Sequence, residues 1–190
     1  MANKFTKKIF NTKSLFKDII FLLKNTINII KASKNDQIDE KFIEKIMTVT
    51  TAVNGCVYCE WFHAKKAVES GISEKEVKNM LKLQFEADAS DFELPALLYA
   101  QHYAETNRNP EKEMKNKFYN FYGRETAKHI YLFIRMIFFG NLFGNTWDAV
   151  ISRFKGNPAE NSNIIFELFF FLLSFWFMGP FMVVINKKSH

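Results

Sequence analysis

Apolar residues recur at three- and four-residue steps through most of this chain, and no stretch of alternating polar and apolar residues with hairpin punctuation interrupts them. That period is the period of a helix, and it excludes a sheet-based fold. Leu15, Phe16, Ile19, Ile20, Leu23, Ile27 and Ile30 outline a first helix, and Phe42, Ile43, Ile46, Met47, Val49, Thr50 and Val53 a second. Asn54-Gly55 suits the left-handed turn that ends a helix. Residues 56–70 read as a third helix closed by Gly71. Ser73 with Glu76 makes a capping box for a fourth, through about Leu83. Pro95 fits the first turn of a fifth helix, ending near Asn107, and Asn109-Pro110 opens a sixth. Residues 125–139 and 146–155 read as two more, separated by Gly140 and Gly144. The expectation is an all-α bundle of about eight helices.

Composition narrows the function classes. At 190 residues the chain can bury one sizeable core, and 48% apolar with 24% charged residues is globular. The net charge of +6 includes Lys4, Lys7, Lys8, Lys13 and Lys17 near the start and Lys187 and Lys188 near the end. No basic stripe interleaved with aromatics accompanies it, so these lysines read as a solvated surface and nucleic acid is not an expected partner. The segment Ile19 to Leu23 is hemmed in by Lys17, Asp18 and Lys24, which makes a poor secretory leader. The two cysteines fall in one C-x2-C, which is no disulfide framework. These features place the expected redox site in the cytosol.

The chemistry concentrates in Asn54-Gly55-Cys56-Val57-Tyr58-Cys59-Glu60-Trp61-Phe62-His63. Two thiols sit across a helix start, close enough to pair. The positive end of the helix dipole favours a thiolate there. His63 follows Cys59 by four residues and therefore shares its face. Glu44, on the preceding helix, comes back over the site if the two helices form a hairpin, where it can orient His63 or pass a proton. Cys56, Cys59, His63 and Glu44 could instead surround a metal, but the second C-x2-C or H-x3-H of a structural zinc site is missing. No metal or cofactor is expected. His102 and His129 lie in helical stretches without a cysteine and read as structural. Tyr58, Trp61 and Phe62 suit either packing or a pocket wall.

The spacing E-x11-C-x2-C-x3-H, met by Glu44, Cys56, Cys59 and His63, resembles the redox signature of the alkylhydroperoxidase D family. That family lies within the carboxymuconolactone decarboxylase superfamily. Leu97-Leu98-Tyr99-Ala100 ahead of Asn109-Pro110 is similar to the helix that follows the redox helix in those proteins. The segment from Gly140 to Thr146 looks like an extension in some relatives. The resemblance spans roughly residues 14 to 150. It implies an alkylhydroperoxidase D-like helical bundle over residues 1–156, with a redox helix hairpin, followed by a hydrophobic C-terminal helical extension over 157–190.

The resemblance also implies a thiol peroxidase or disulfide reductase. Cys59 would attack a hydroperoxide, Cys56 would resolve the product as a disulfide, and His63 and Glu44 would carry protons. A cellular dithiol or a lipoyl-type protein would regenerate the pair. The chain departs from the pattern at Tyr58, where the best-described members carry a second histidine. The other function class is a non-enzymatic, redox-sensing or membrane-associated binding protein that uses the same thiols as a switch.

The uncharged run 168–185, from Leu168 to Ile185, must leave water. Gly179-Pro180 interrupts it, so the expectation is a broken helix buried in a homo-oligomer, with membrane anchoring as the alternative.

Overall fold

The computed structural model describes residues 5–160 and 162–188. Among them are seven helices and no strand: α1 (Thr12–Ala32), α2 (Glu40–Asn54), α3 (Val57–Glu69), α4 (Glu74–Leu81), α5 (Leu94–Glu105), α6 (Lys112–Phe154) and α7 (Ile164–Lys188). The all-α class read from periodicity is the class observed.

The helix starts follow capping chemistry. Asn11 and Ser14 form a reciprocal capping box on α1. The Asp39 carboxylate accepts the Phe42 N–H at 2.8 Å, and the Ser73 hydroxyl accepts the Glu76 N–H at 3.2 Å. Gly55 ends α2 with φ +65°, a left-handed conformation that turns the chain directly into α3. Gly55→Ala should therefore lower stability by about 1–2 kcal/mol, read as a fall in the urea midpoint.

α2 is the central element and packs against α3, α4, α5 and α6. Its buried residues lie all round the helix and include Ile46, Val49, Thr50 and Thr51. Full burial of a side chain the size of Ile46 or Val49 contributes roughly 1.5–3 kcal/mol. Thr50 satisfies its hydroxyl by donating to the Ile46 carbonyl at 2.8 Å. α1 lies across α6, where buried Asp18 accepts from Arg135 at 2.8 Å and also pairs with Arg108. Arg135 stacks over Phe21 at 3.8 Å.

Two boundaries differ from the sequence reading. The helices expected over 125–139 and 146–155 are one element, α6, in which Gly140 and Gly144 are helical; the non-helical residue is Gly123, at φ 72° and ψ 169°. A helix-interior glycine costs roughly 0.5–1 kcal/mol relative to alanine. α6 offsets that cost by burying Leu142, Trp147, Ala149 and Val150 along the same stretch. α7 likewise continues through Gly179 and Pro180 to Lys188, so the helix break expected there is absent. Proline removes one N–H donor and crowds one carbonyl, and the helical bonds on either side carry α7 across.

α7 packs on α6 through Phe170 against Phe143 and Phe171 stacked on Trp147, with ring centroids 4.8 and 4.9 Å apart. Its outer face, including Leu172 and Trp176, is exposed. Within α7 the side chains of 177 and 180–188 lie outside the described residues. Among the described residues, no helix is long and apolar enough to cross a membrane.

Candidate active site

The turn at Gly55 makes Cys56 the N-cap of α3. Its sulfur accepts the Cys59 N–H at 3.3 Å, taking the capping role usually filled by a Ser or Asp oxygen. The same sulfur lies 2.6 Å from the Cys59 sulfur, with the Cys56 thiol donating. Both cysteines are free. The pair expected from its two-residue gap is thus assembled at the helix start.

The two thiols are electrostatically unequal. The hydrogen bond donated by Cys56 holds the Cys59 thiol below its ordinary range, assisted by a hydrogen bond from Asn141, while burial opposes the shift. Cys56 is pushed up, first by acting as donor to Cys59, then by burial, with the Asp148 charge adding to the effect. Accessibility agrees: Cys56 is wholly buried, whereas Cys59 is partly exposed. Cys59 is the sulfur that a small molecule can reach as a thiolate. Iodoacetamide should therefore alkylate Cys59 with a midpoint below that of an ordinary thiol, and leave Cys56 untouched until the protein unfolds. Mass mapping across a pH series checks this.

Glu44 and His63 meet across the α2–α3 hairpin. His63 donates from Nδ1 to the Glu44 carboxylate at 2.8 Å, with Glu44 buried. The hairpin contact expected from sequence is present. The contact between the Cys59 thiol and the His63 imidazole takes another form: they share no hydrogen bond, and both line one cavity. Its volume is about 390 Å³. The rest of the wall is almost entirely apolar, with Met47, Tyr58, Phe62, Met136, Ile137, Phe139, Phe143 and Met178 contributing. Tyr58 and Phe62 are therefore wall residues, while Trp61 does not line it. His102 and His129 lie elsewhere: His102 accepts the Glu111 N–H at 3.3 Å, and His129 pairs with Asn35 at 2.9 Å. Among the described residues, no group of three or more His, Cys, Asp or Glu is placed to hold a metal ion.

The sequence reading missed the floor of the site, which α6 supplies. A Cβ on Gly144 would lie 2.6 Å from the Cys56 sulfur and 3.1 Å from the Tyr58 ring, so the helix backbone itself abuts the thiol pair. Around it is a buried amide network. Asn54 donates to the Asn141 side chain at 3.1 Å, Asn141 donates to the Thr51 hydroxyl at 2.9 Å, and Asn145 donates to the Asn54 carbonyl at 2.9 Å. On the far side, the Tyr58 hydroxyl donates to Asp148 at 2.5 Å, and Asp148 pairs with Lys7 at 2.6 Å. The signal that could have found these residues was the repeated Gly-Asn pair, Gly140-Asn141 and Gly144-Asn145. Its four-residue spacing places both asparagines on one helix face.

Residues 23–102 match the model of the carboxymuconolactone decarboxylase family. The matched segment holds Glu44, Cys56, Cys59 and His63, while Asn141, Gly144 and Asp148 come from α6, beyond it. No curated protein sequence matches the chain.

Proposed function

We propose that this chain, with its carboxymuconolactone decarboxylase family segment, is a thiol peroxidase that reduces organic hydroperoxides. The observation that carries the reading is the inequality of the thiols. Cys59 is the lowered, reachable sulfur and faces an apolar cavity, with Cys56 held behind it as a buried donor. The family includes enzymes, so an enzymatic activity suits the segment matched.

In the first step the Cys59 thiolate attacks the terminal oxygen of a hydroperoxide. The O–O bond breaks, Cys59 becomes a sulfenic acid, and the organic fragment leaves as an alkoxide that takes a proton to become an alcohol. Sulfur loses two electrons and the peroxide gains them. His63, whose Nδ1–H is held by Glu44, takes up at Nε2 the proton that Cys59 loses on becoming a thiolate and returns it across the cavity to the alkoxide. In the second step Cys56 attacks the Cys59 sulfur and water leaves. The Cys56–Cys59 disulfide then takes two electrons and two protons from a dithiol, of a small-molecule or lipoyl-type protein reductant.

The test is consumption of cumene hydroperoxide by the full chain with dithiothreitol or dihydrolipoamide as donor. Continuous turnover is expected. One equivalent consumed and then arrest with every donor would mark a redox sensor instead of an enzyme. In the same assay His63→Gln should lower turnover by roughly 100-fold, with a smaller loss in Glu44→Gln and unchanged helicity in both. Unaltered rates would remove the pair from the mechanism.

A further inference from the structure

Five large apolar residues stand in one row on the outer side of α1. Phe16, Ile20, Leu23, Ile27 and Ile30 are separated by four, three, four and three residues, and each is 49–71% exposed. The row is about 21 Å long at the helical rise per residue. Among the described residues, nothing covers it. The opposite side of α1 carries buried Leu15, Asp18 and Ala32 and is spent on the contact with α6.

The charges on α1 are sorted as sharply as its apolar residues. Lys13, Lys17, Lys24 and Lys31 are all exposed, and helical spacing puts them along one flank of the row. The single carboxylate of α1, Asp18, is 2% exposed and is held by Arg108 and Arg135. The water-facing side of this helix therefore offers apolar and cationic groups and no anion.

We infer that α1 is a peripheral docking helix for an anionic lipid surface. The row enters the boundary between headgroups and acyl chains, and the lysines extend their methylene stems and place their ammonium groups among the phosphates. A second copy of the chain fits less well. Antiparallel pairing of two α1 helices sets the lysine flanks against each other, and parallel pairing gives them Ile19 and Thr26 as neighbours. Either way four cations per helix lack a counter-charge, which an anionic bilayer supplies.

The test is co-sedimentation of the full chain with vesicles of mixed phosphatidylglycerol and phosphatidylcholine, and with vesicles of phosphatidylcholine alone. Binding to the anionic vesicles, weakened by salt, is expected. The double variant Leu23→Asp/Ile27→Asp should lose it, with helicity preserved because both side chains face water. Lys17→Gln/Lys24→Gln/Lys31→Gln should weaken binding by about fivefold per lysine. Binding retained by the aspartate variant would move the lipid contact to α7 and overturn the assignment. Equal binding to both vesicle types, with no effect of the lysine substitutions, would also overturn it. So would absence of vesicle binding together with a dimer, seen by light scattering, that the aspartate variant dissociates; that outcome makes the row a contact between copies.

Discussion

Replacing Cys59 with serine should end all reaction with hydroperoxide, while replacing Cys56 with serine should leave a single oxidation and no turnover. The asymmetry follows from the site. Cys59 is the sulfur exposed to the cavity, and it is the one whose thiolate is favoured by donors from Cys56 and Asn141. Serine in its place offers a hydroxyl that stays protonated and is a far weaker nucleophile. In Cys56→Ser the hydroxyl can still donate to Cys59, so the first step survives. The sulfenic acid then finds no resolving thiol and persists, open to trapping with dimedone or to further oxidation. Intact mass after one equivalent of cumene hydroperoxide separates the two variants. A Cys59→Ser protein that still forms a sulfenic acid on Cys56 would reverse the assignment.

Gly144→Val should cost about 3 kcal/mol of stability, at the upper end of what overpacking a filled site costs, and should abolish the low-pH reactivity of Cys59. The first added carbon already meets the Cys56 sulfur at 2.6 Å. That sulfur cannot retreat easily, because it caps α3 and donates to Cys59 at the same time. Gly140→Ala is the matched control. A Cβ there meets nothing within 4 Å, so its expected effect is a gain of about 1 kcal/mol from helix propensity. Urea denaturation of both variants gives the stabilities, and alkylation against pH gives the reactivity. A stable Gly144→Val with unchanged alkylation would show that α6 does not press on the thiol pair.

The half of the site made by α2 and α3 was legible because its signals are local. Gly55 sets the turn, the thiol pair follows at the start of the next helix, and the fixed spacings of Glu44, Cys59 and His63 bring them onto facing surfaces of a hairpin. The half made by α6 was not. Asn54 and Asn141 are 87 positions apart and Asn54 and Asn145 are 91 apart, and no local pattern states that they meet. Gly140 and Gly144 even argued for a break, since glycine propensity says so wherever packing does not override it. At Gly144 packing decides: its missing side chain is the space the thiols occupy. The proline in α7 misled in the same way, a local helix breaker outweighed by the turns on either side of it.

In the proposed cycle Cys56 is both the resolving sulfur and the cap of α3, so the start of that helix rests on an atom whose bonding would change with each turnover. Among the backbone amides of the first turn, that of Cys59 is held by the Cys56 sulfur, at 3.3 Å. If that sulfur bonds to its partner, its geometry changes, and the hydrogen bond it accepts from that amide is expected to weaken, with faster exchange there. The oxidation state of the pair should then be readable in hydrogen–deuterium exchange at a single peptide group, a readout of the cycle that needs neither substrate nor reductant to be identified.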